Sequence, residues 1–486
     1  MGKSGVATSG GETRDIGWLG IFRLGLVQAA IGAIVVITTS TLNRVLVVEL
    51  ALPALVPGVL VALHYFVQVL RPRFGYGSDV GGRRTPWIIG GMAVLGLGAV
   101  GASISTALMV TQLPLGLMLA TLSFLLVGLG VGACGTAMLV LMSTNVAKSR
   151  LAAAATVTWV MMIVGFIVTS VLAGKMLEPF SMLRLVEVTA VVAATAFLVT
   201  CVAVWRIETR SKIAASASST AASNVDAAVG GASASTDDAS TQGFVSALRE
   251  VWNEPHSRRL AGFVFVSMLA YSAQDLVLEP FAGAVFGLTP GESTRLSGMM
   301  SSGTLIGMLI VAVICTAGAN TRAGALRAWT IGGCVASALM LLTLAVAGLV
   351  GPSWPLRPTV FALGLANGAF AVAAIGSMMG LVGRGRQSRE GTRMGLWGAA
   401  QAMAFGLGGI AATATVDLMR WLTGSVTLAY GVVFVLEAVL FVVATLFAVR
   451  LSREDTTAQV DGGGSTAGPA YLAEARVSGG SAARLT

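Results

Sequence analysis

The segment Arg71-Pro72-Arg73-Phe74-Gly75-Tyr76-Gly77-Ser78-Asp79-Val80-Gly81-Gly82-Arg83-Arg84-Thr85-Pro86 is a short basic, glycine-rich loop with long apolar runs on both sides. Asp79 stands alone among Arg71, Arg73, Arg83 and Arg84. The glycines permit tight turns in which a Cβ would clash. Thr85 followed by Pro86 reads as a helix N-cap and first helical residue. The loop therefore ends one helix and starts another. At a membrane face it would latch two helix ends through Asp79 and the arginines.

The flanking runs set the class. Of the 486 residues, 55% are hydrophobic and 11% charged, which describes a multispanning membrane protein. Twelve runs are long enough to cross a bilayer. In the first half they are 17–41, 52–70, 86–109, 113–142, 151–173 and 182–205; in the second, 260–281, 296–317, 325–350, 360–382, 394–419 and 426–449. The predicted fold is an all-α bundle of twelve transmembrane helices in two pseudo-symmetric sets of six. Residues 1–16 form a polar lead segment, with no apolar region and cleavage site of a secretory signal. The first half covers 17–206 and the second 258–450. Between them, 207–257 is rich in Ala, Ser, Thr and Gly and reads as a flexible linker, with a possible interfacial helix at 244–254. Residues 451–486 read as a disordered tail. A short echo supports the duplication: Val47-Val48-Glu49-Leu50 precedes Pro57-Gly58, and Val277-Leu278-Glu279-Pro280 precedes Pro290-Gly291.

Arginine and lysine distribute unevenly over the loops. One side holds Arg44, Lys175, Arg184, Arg295, Arg357 and Arg420; Arg23 lies within the first span; every other basic residue falls on the opposite side. The positive-inside bias then places both termini in the cytoplasm. The net charge of +9 follows from these loops, and no nucleic-acid patch is expected. The cysteines Cys134, Cys201, Cys315 and Cys334 lie unpaired within apolar runs and read as packing residues. The 61 glycines suit close helix contacts, notably Gly128, Gly130, Gly132 and Gly135 in the fourth span and Gly406, Gly408 and Gly409 in the eleventh.

Few groups within the spans carry chemistry. The acids are Glu187, Asp275, Glu279, Asp417 and Glu437. Charge in lipid is costly, so each is a functional candidate. Glu187, Asp417 and Glu437 read as interfacial, or as partners of Arg184 or Arg420. Asp275 and Glu279, four apart, share one helix face beside Gln274. His64, the one histidine in a span, can ligate the magnesium of a chlorin or simply pack against a helix carbonyl. Arg44 reaches the same end of the bundle as Glu279. It can pair there with Glu279, with Asp275 deeper in, or locally with Glu49, and the first two pairings would gate one end of a central cavity. No catalytic or metal set is expected. The single Asp275/Glu279 pair lacks the second acidic cluster that a magnesium-diphosphate enzyme needs.

Two resemblances follow from these stretches. The pattern Gly-x-x-x-Asp-x-x-Gly-Arg-Arg, carried by Gly75, Asp79, Gly82, Arg83 and Arg84, resembles the cytoplasmic latch between helices two and three of the major facilitator superfamily. Within that superfamily, the run from Thr41 through Asn43, Arg44 and Glu49 to Leu50, the Thr85-Pro86-Trp87 that follows the latch, and Gln274-Asp275-Leu276-Val277-Leu278-Glu279-Pro280-Phe281 resemble the PucC/LhaA family of photosynthetic bacteria. The likeness covers 17–450. It implies a non-enzymatic factor of the bacterial inner, intracytoplasmic photosynthetic membrane that assembles light-harvesting complexes. Its partners would be antenna polypeptides, the pigment-synthesis machinery and membrane lipids. Its cofactor, bound or carried, would be bacteriochlorophyll. The latch and Ala62-Leu63-His64-Tyr65 resemble the branch linked to the core antenna. The alternative is a major facilitator transporter of a small or amphipathic solute. The superfamily places spans one, four, seven and ten around the cavity, and here that wall carries few polar groups, which suits an amphipathic molecule better than a sugar or an ion.

Overall fold

The computed structural model describes residues 16–70, 83–208, 255–317, 322–382 and 390–463. Residues 209–254, which include most of the linker and the 244–254 segment, and the latch residues Gly75, Asp79 and Gly82 lie outside them. The described residues form twelve helices in the predicted order. They are α1 (Trp18–Glu49), α2 (Leu55–Val67), α3 (Thr85–Met109), α4 (Leu113–Asn145), α5 (Lys148–Met176) and α6 (Met182–Val204). The second six are α7 (Pro255–Phe286), α8 (Pro290–Ala317), α9 (Arg322–Val350), α10 (Leu356–Val382), α11 (Glu390–Thr423) and α12 (Val426–Gly463). Among the described residues, nine helices are long and apolar enough to cross a membrane, and Leu55–Val67 and Leu356–Val372 add shorter apolar ones. Helix α7 stands apart from that set because Gln274, Asp275 and Glu279 interrupt its apolar run. Helix α12 continues to Gly463, into the segment expected to be a disordered tail.

The packing repeats. In the first half α1 lies on α5 and α6, α3 on α4 and α6, and α2 on α4. In the second, α7 lies on α11 and α12, α9 on α10 and α12, and α8 on α10. Adding six to each helix number converts the first set into the second. The halves meet along α5 with α8 and along α2 with α11, which exchange under the same operation. The echo noted in the sequence therefore opens α2 and α8, the helix of each half that crosses to the other. The structure is an all-α, two-fold pseudo-symmetric bundle of six plus six helices.

Without a hydrophobic drive between helices in lipid, close backbone approach supplies much of the packing. The tightest crossing is α8 with α10. Gly303 and Gly307 face Gly364 and Gly368, and a Cβ on Gly368 would fall 2.0 Å from the Thr304 carbonyl oxygen. Apolar side chains point both inward and outward. Met118, Val202 and Trp421 are 71%, 72% and 79% exposed, as a lipid-facing shell requires.

Helix ends are tied by charged groups from other helices. At the start of α3, Thr85 is the first helical residue and not the expected cap. The cap is the Glu208 carboxylate just beyond α6, which accepts from the Arg84 N–H (2.5 Å) and the Thr85 N–H (3.1 Å). Arg23 serves the opposite polarity, donating to the Ala203 and Trp205 carbonyls that close α6.

Candidate functional site

At the end of the bundle where α1 meets α7 and α8, the last turns of α1 depart from regular α geometry. Residues Ile37–Thr41 and Val45–Glu49 form π-helical turns, which turn Thr41, Asn43 and Arg44 toward the second half. All three are buried, with Arg44 2% exposed. Thr41 and Thr294 of α8 share a hydroxyl hydrogen bond of 3.0 Å. The Asn43 amide donates to the Leu276 carbonyl of α7 at 2.6 Å. The Arg44 guanidinium donates to the Leu288 carbonyl, between α7 and α8, and to Glu49, each at 2.5 Å.

The Asn43 bond has a specific cause. Pro280 lies inside α7 and has no N–H. Its missing donor would have served the carbonyl four residues earlier, that of Leu276. Asn43 supplies that donor from another helix. Beside it, Arg44 lies flat against Gly283, where an added Cβ would stand 2.9 Å from a guanidinium nitrogen. A glycine there leaves the cation room against α7.

The structure chooses among the pairings expected for Arg44. Glu49 is its salt-bridge partner, so the local pair forms. Glu279 is fully buried and accepts from the Ser297 hydroxyl of α8 at 2.6 Å. No ion pair joins it to Arg44, whose salt bridge is with Glu49. The interhelical connection expected of Arg44 with Glu279 is made instead by Thr41, Asn43 and the Arg44–Leu288 bond. Geometry decides this: the Asn43 side chain meets α7 at its backbone, Arg44 bonds the Leu288 carbonyl just beyond it, and the Ser297 hydroxyl of α8 takes one oxygen of Glu279.

Two further acids close the same end. Asp417 of α11 accepts from the Ala54 and Leu55 N–H groups (2.9 and 2.8 Å) and so caps α2. The sequence offered it an interfacial position or a pairing with Arg420, and the backbone of α2 is the partner it takes. In the pseudo-equivalent position, Glu178 after α5 holds Arg295 (2.7 and 3.3 Å) and Thr289 (3.3 Å) at the start of α8. Each contact crosses between the halves. Glu187 is exposed, in line with an interfacial position.

Other predicted residues sit elsewhere. Gln274 faces α10 within the second half. It is 1% exposed and accepts from Asn367 of α10 (2.7 Å), which in turn accepts from Ser337 of α9 (2.8 Å). Asn367 and Ser337 carried no sequence signal, because an isolated polar residue in a span declares no partner. His64 is 1% exposed, with Nε2 3.2 Å from the Gln68 amide nitrogen. Glu437, expected near an interface, is 2% exposed within the core of the second half. Arg83 is exposed and Arg84 half-buried at the edge of the described residues. Among the described residues, no group of three or more His, Cys, Asp or Glu is placed to hold a metal.

These contacts belong to a polytopic membrane protein with a major-facilitator-like fold whose two halves are joined at one end by interhelical hydrogen bonds. The solved structures agree on the fold. A bacterial homologue of the human lysosomal transporter Spinster, in an inward-facing and occupied conformation, superposes with a TM-score of 0.62 at 14% identity, covering 90% of this chain and 96% of that one. The nucleoside transporter NupG superposes at 0.59 with 15% identity, covering 89% and 99%. The PUCC protein family model matches residues 41–456, and the chain belongs to that family. Among its relatives, the bacteriochlorophyll synthase 44.5 kDa chain of Rhodobacter capsulatus is 47% identical over 445 residues, covering 92% of this chain and 98% of that one. Protein PucC of Rhodobacter capsulatus is 28% identical over 456 residues, covering 89% and 92%.

Proposed function

We propose that this protein is a non-enzymatic factor that assembles bacteriochlorophyll-containing light-harvesting complexes, the core antenna first among them, on a transporter-type scaffold. The observation that carries this reading is family membership across nearly the whole chain, including both sides of the clasp: Asn43 and Arg44 on α1, Leu276 and Pro280 on α7. The relative named as a bacteriochlorophyll synthase chain supports a working association with pigment synthesis. The charge distribution supports a bacterial inner-membrane location, with both termini and the latch loop of Gly75, Asp79, Gly82, Arg83 and Arg84 on the cytoplasmic side and the clasp on the periplasmic side.

A chlorin held inside the bundle would need an open axial donor. His64 is 1% exposed and has Gln68 beside its ring, which favours packing over an axial bond to a group as large as a chlorin. We therefore assign His64 to packing between helices and place pigment contact on the apolar outer surface, where the antenna polypeptides would also dock. The clasp acts on the scaffold. Each of its interhelical bonds contributes about 0.6–1.5 kcal/mol. Three such bonds sum to a few kcal/mol, small enough for a bound partner to shift the balance between closed and open forms.

The test is gentle purification from phototrophic membranes, followed by absorption spectroscopy and identification of co-purifying subunits. Bacteriochlorophyll and antenna polypeptides should accompany the protein. A colourless protein without partners overturns the reading and favours solute transport, the function class in which the fold is otherwise found.

A further inference from the structure

The end of the second half that carries the clasp also holds a cleft of about 290 Å³. It lies between the loop after α7, which contributes Phe286 and Leu288, and the loop joining α9 to α10, which contributes Trp354 and Leu356. Both loops turn at a left-handed glycine, Gly287 (φ 68°) and Gly351 (φ 78°). Pro352, Pro355 and Pro358 restrict the backbone of the second loop. The Trp354 Nε1–H donates to the Thr359 hydroxyl at 3.0 Å, which holds the indole in place. The cleft is therefore shaped before anything enters it, and occupying it costs little ordering.

Its chemistry is that of an anionic amphiphile. Every lining residue but Arg357 is apolar or aromatic. Arg357 is exposed in the first turn of α10, at the positive end of that helix. It has neither a salt bridge nor a side-chain hydrogen bond among the described residues. Other arginines at this end are engaged: Arg44 by Glu49 and Leu288, Arg295 by Glu178 and Arg184 by the Pro179 carbonyl. An unengaged cation over an apolar cleft fits an anion with an apolar body. The surroundings narrow the source. Leu349 and Val350, just before the second loop, are 67% and 50% exposed, so the lipid-facing shell of α9 ends beside the cleft. A tryptophan at such a place stands at headgroup level. The volume is at the lower edge of the range of about 300–1,000 Å³ for small-molecule sites, room for a headgroup and the first methylenes of its chains.

We propose that this cleft binds one anionic phospholipid from the leaflet at the Arg44 end, its phosphate on the Arg357 guanidinium and its glycerol and upper acyl chain against Trp354 and Phe286. Leu288 both lines the cleft and accepts the Arg44 bond, so the lipid sits beside the clasp and steadies the loop that the clasp holds. The site belongs to the second half alone and stands whether or not the protein handles pigment.

The test is native mass spectrometry of the delipidated full-length protein, titrated with phosphatidylglycerol, phosphatidylcholine or inorganic phosphate, beside hydrogen exchange of residues 286–288. The wild type should hold one phosphatidylglycerol more tightly than any further lipid. R357Q should weaken that first lipid about tenfold, the loss of one charge-assisted contact, and R357K should retain most of it. W354A, which keeps the cation but removes part of the apolar lining, should weaken it as well. Phosphatidylcholine, with no net charge, should bind less tightly, and inorganic phosphate should not displace the lipid. Phosphatidylglycerol should slow exchange at Gly287 and Leu288 in the wild type and not in R357Q. Arg357 and Trp354 lie outside the buried core, so the variants should unfold at the wild-type temperature. A first lipid no tighter than the rest, or one unaffected by R357Q and W354A, is ordinary surface lipid and overturns the site. Displacement by inorganic phosphate leaves a simple anion site and overturns the lipid. Exchange slowed equally in R357Q places the lipid elsewhere and overturns the assignment to this cleft.

Discussion

Pro280 is the residue that gives α1 its hold on α7. The carbonyl it leaves without a donor, Leu276, is met by Asn43 at 2.6 Å. Asn43→Ala would strand that carbonyl in the bundle and should cost about 1–3 kcal/mol. Pro280→Ala returns an N–H to the helix, so in that background Asn43→Ala should cost close to nothing. Thermal unfolding of the four proteins in detergent checks this, and an equal loss in both backgrounds would refute the pairing. Arg44 supports a second prediction. Arg44→Glu buries a reversed charge and should destabilise by about 3–5 kcal/mol. Adding Glu49→Arg should recover part of it, whereas Arg44→Glu with Glu279→Arg should not, because Glu279 is held by Ser297. Recovery only with the Glu279 variant would restore the interhelical ion pair as the gate.

At the scale of elements, helix ends are closed by side chains distant in sequence. Asp417 caps α2 from α11, and Glu208 caps α3 from beyond α6. A helix start buried in a membrane bundle leaves N–H groups with no water to take, so a carboxylate from any neighbour is strongly favoured. Asp417→Ala should cost about 0.5–2 kcal/mol and loosen the contact between the halves. Asp417→Asn, whose amide oxygen still accepts, should cost less. Hydrogen exchange at Ala54 and Leu55 reads the effect directly: faster exchange in Asp417→Ala than in Asp417→Asn is expected, and unchanged exchange in both variants would remove the cap from the account.

For the whole molecule, the two halves carry the same internal packing and, among the described residues, meet chiefly along two helix pairs, α5 with α8 and α2 with α11, beside the clasp. Such an interface lets the halves rock as units. Joining them through 207–257 requires length more than any particular contact, since its Ala-, Ser- and Thr-rich sequence has little apolar surface to bury. Deleting residues 214–238 should leave both the immunoblot level and the antenna absorbance of phototrophic cells near wild type, because closure entropy varies slowly with loop length. Normal protein with lost antenna would mean that the linker itself binds a partner.

The twelve helices, their order and the duplication were legible in the residues, because a span must be a long apolar run and the bilayer sets its length. That the Thr41–Glu49 and Gln274–Pro280 stretches need specific partners was legible too, since polar groups and a proline are costly at those depths. Their partners were not. Asn43 could be matched to Leu276, Glu208 to Thr85 and Asp417 to α2 only by the fold. Arg44 had three acids within reach in sequence terms, and the backbone path of α1 through its two π turns delivered it to Glu49 and Leu288. Hydropathy acts along the chain and can be read there. A hydrogen bond between helices depends on rotation and depth to within an ångström, and only the packed bundle sets those.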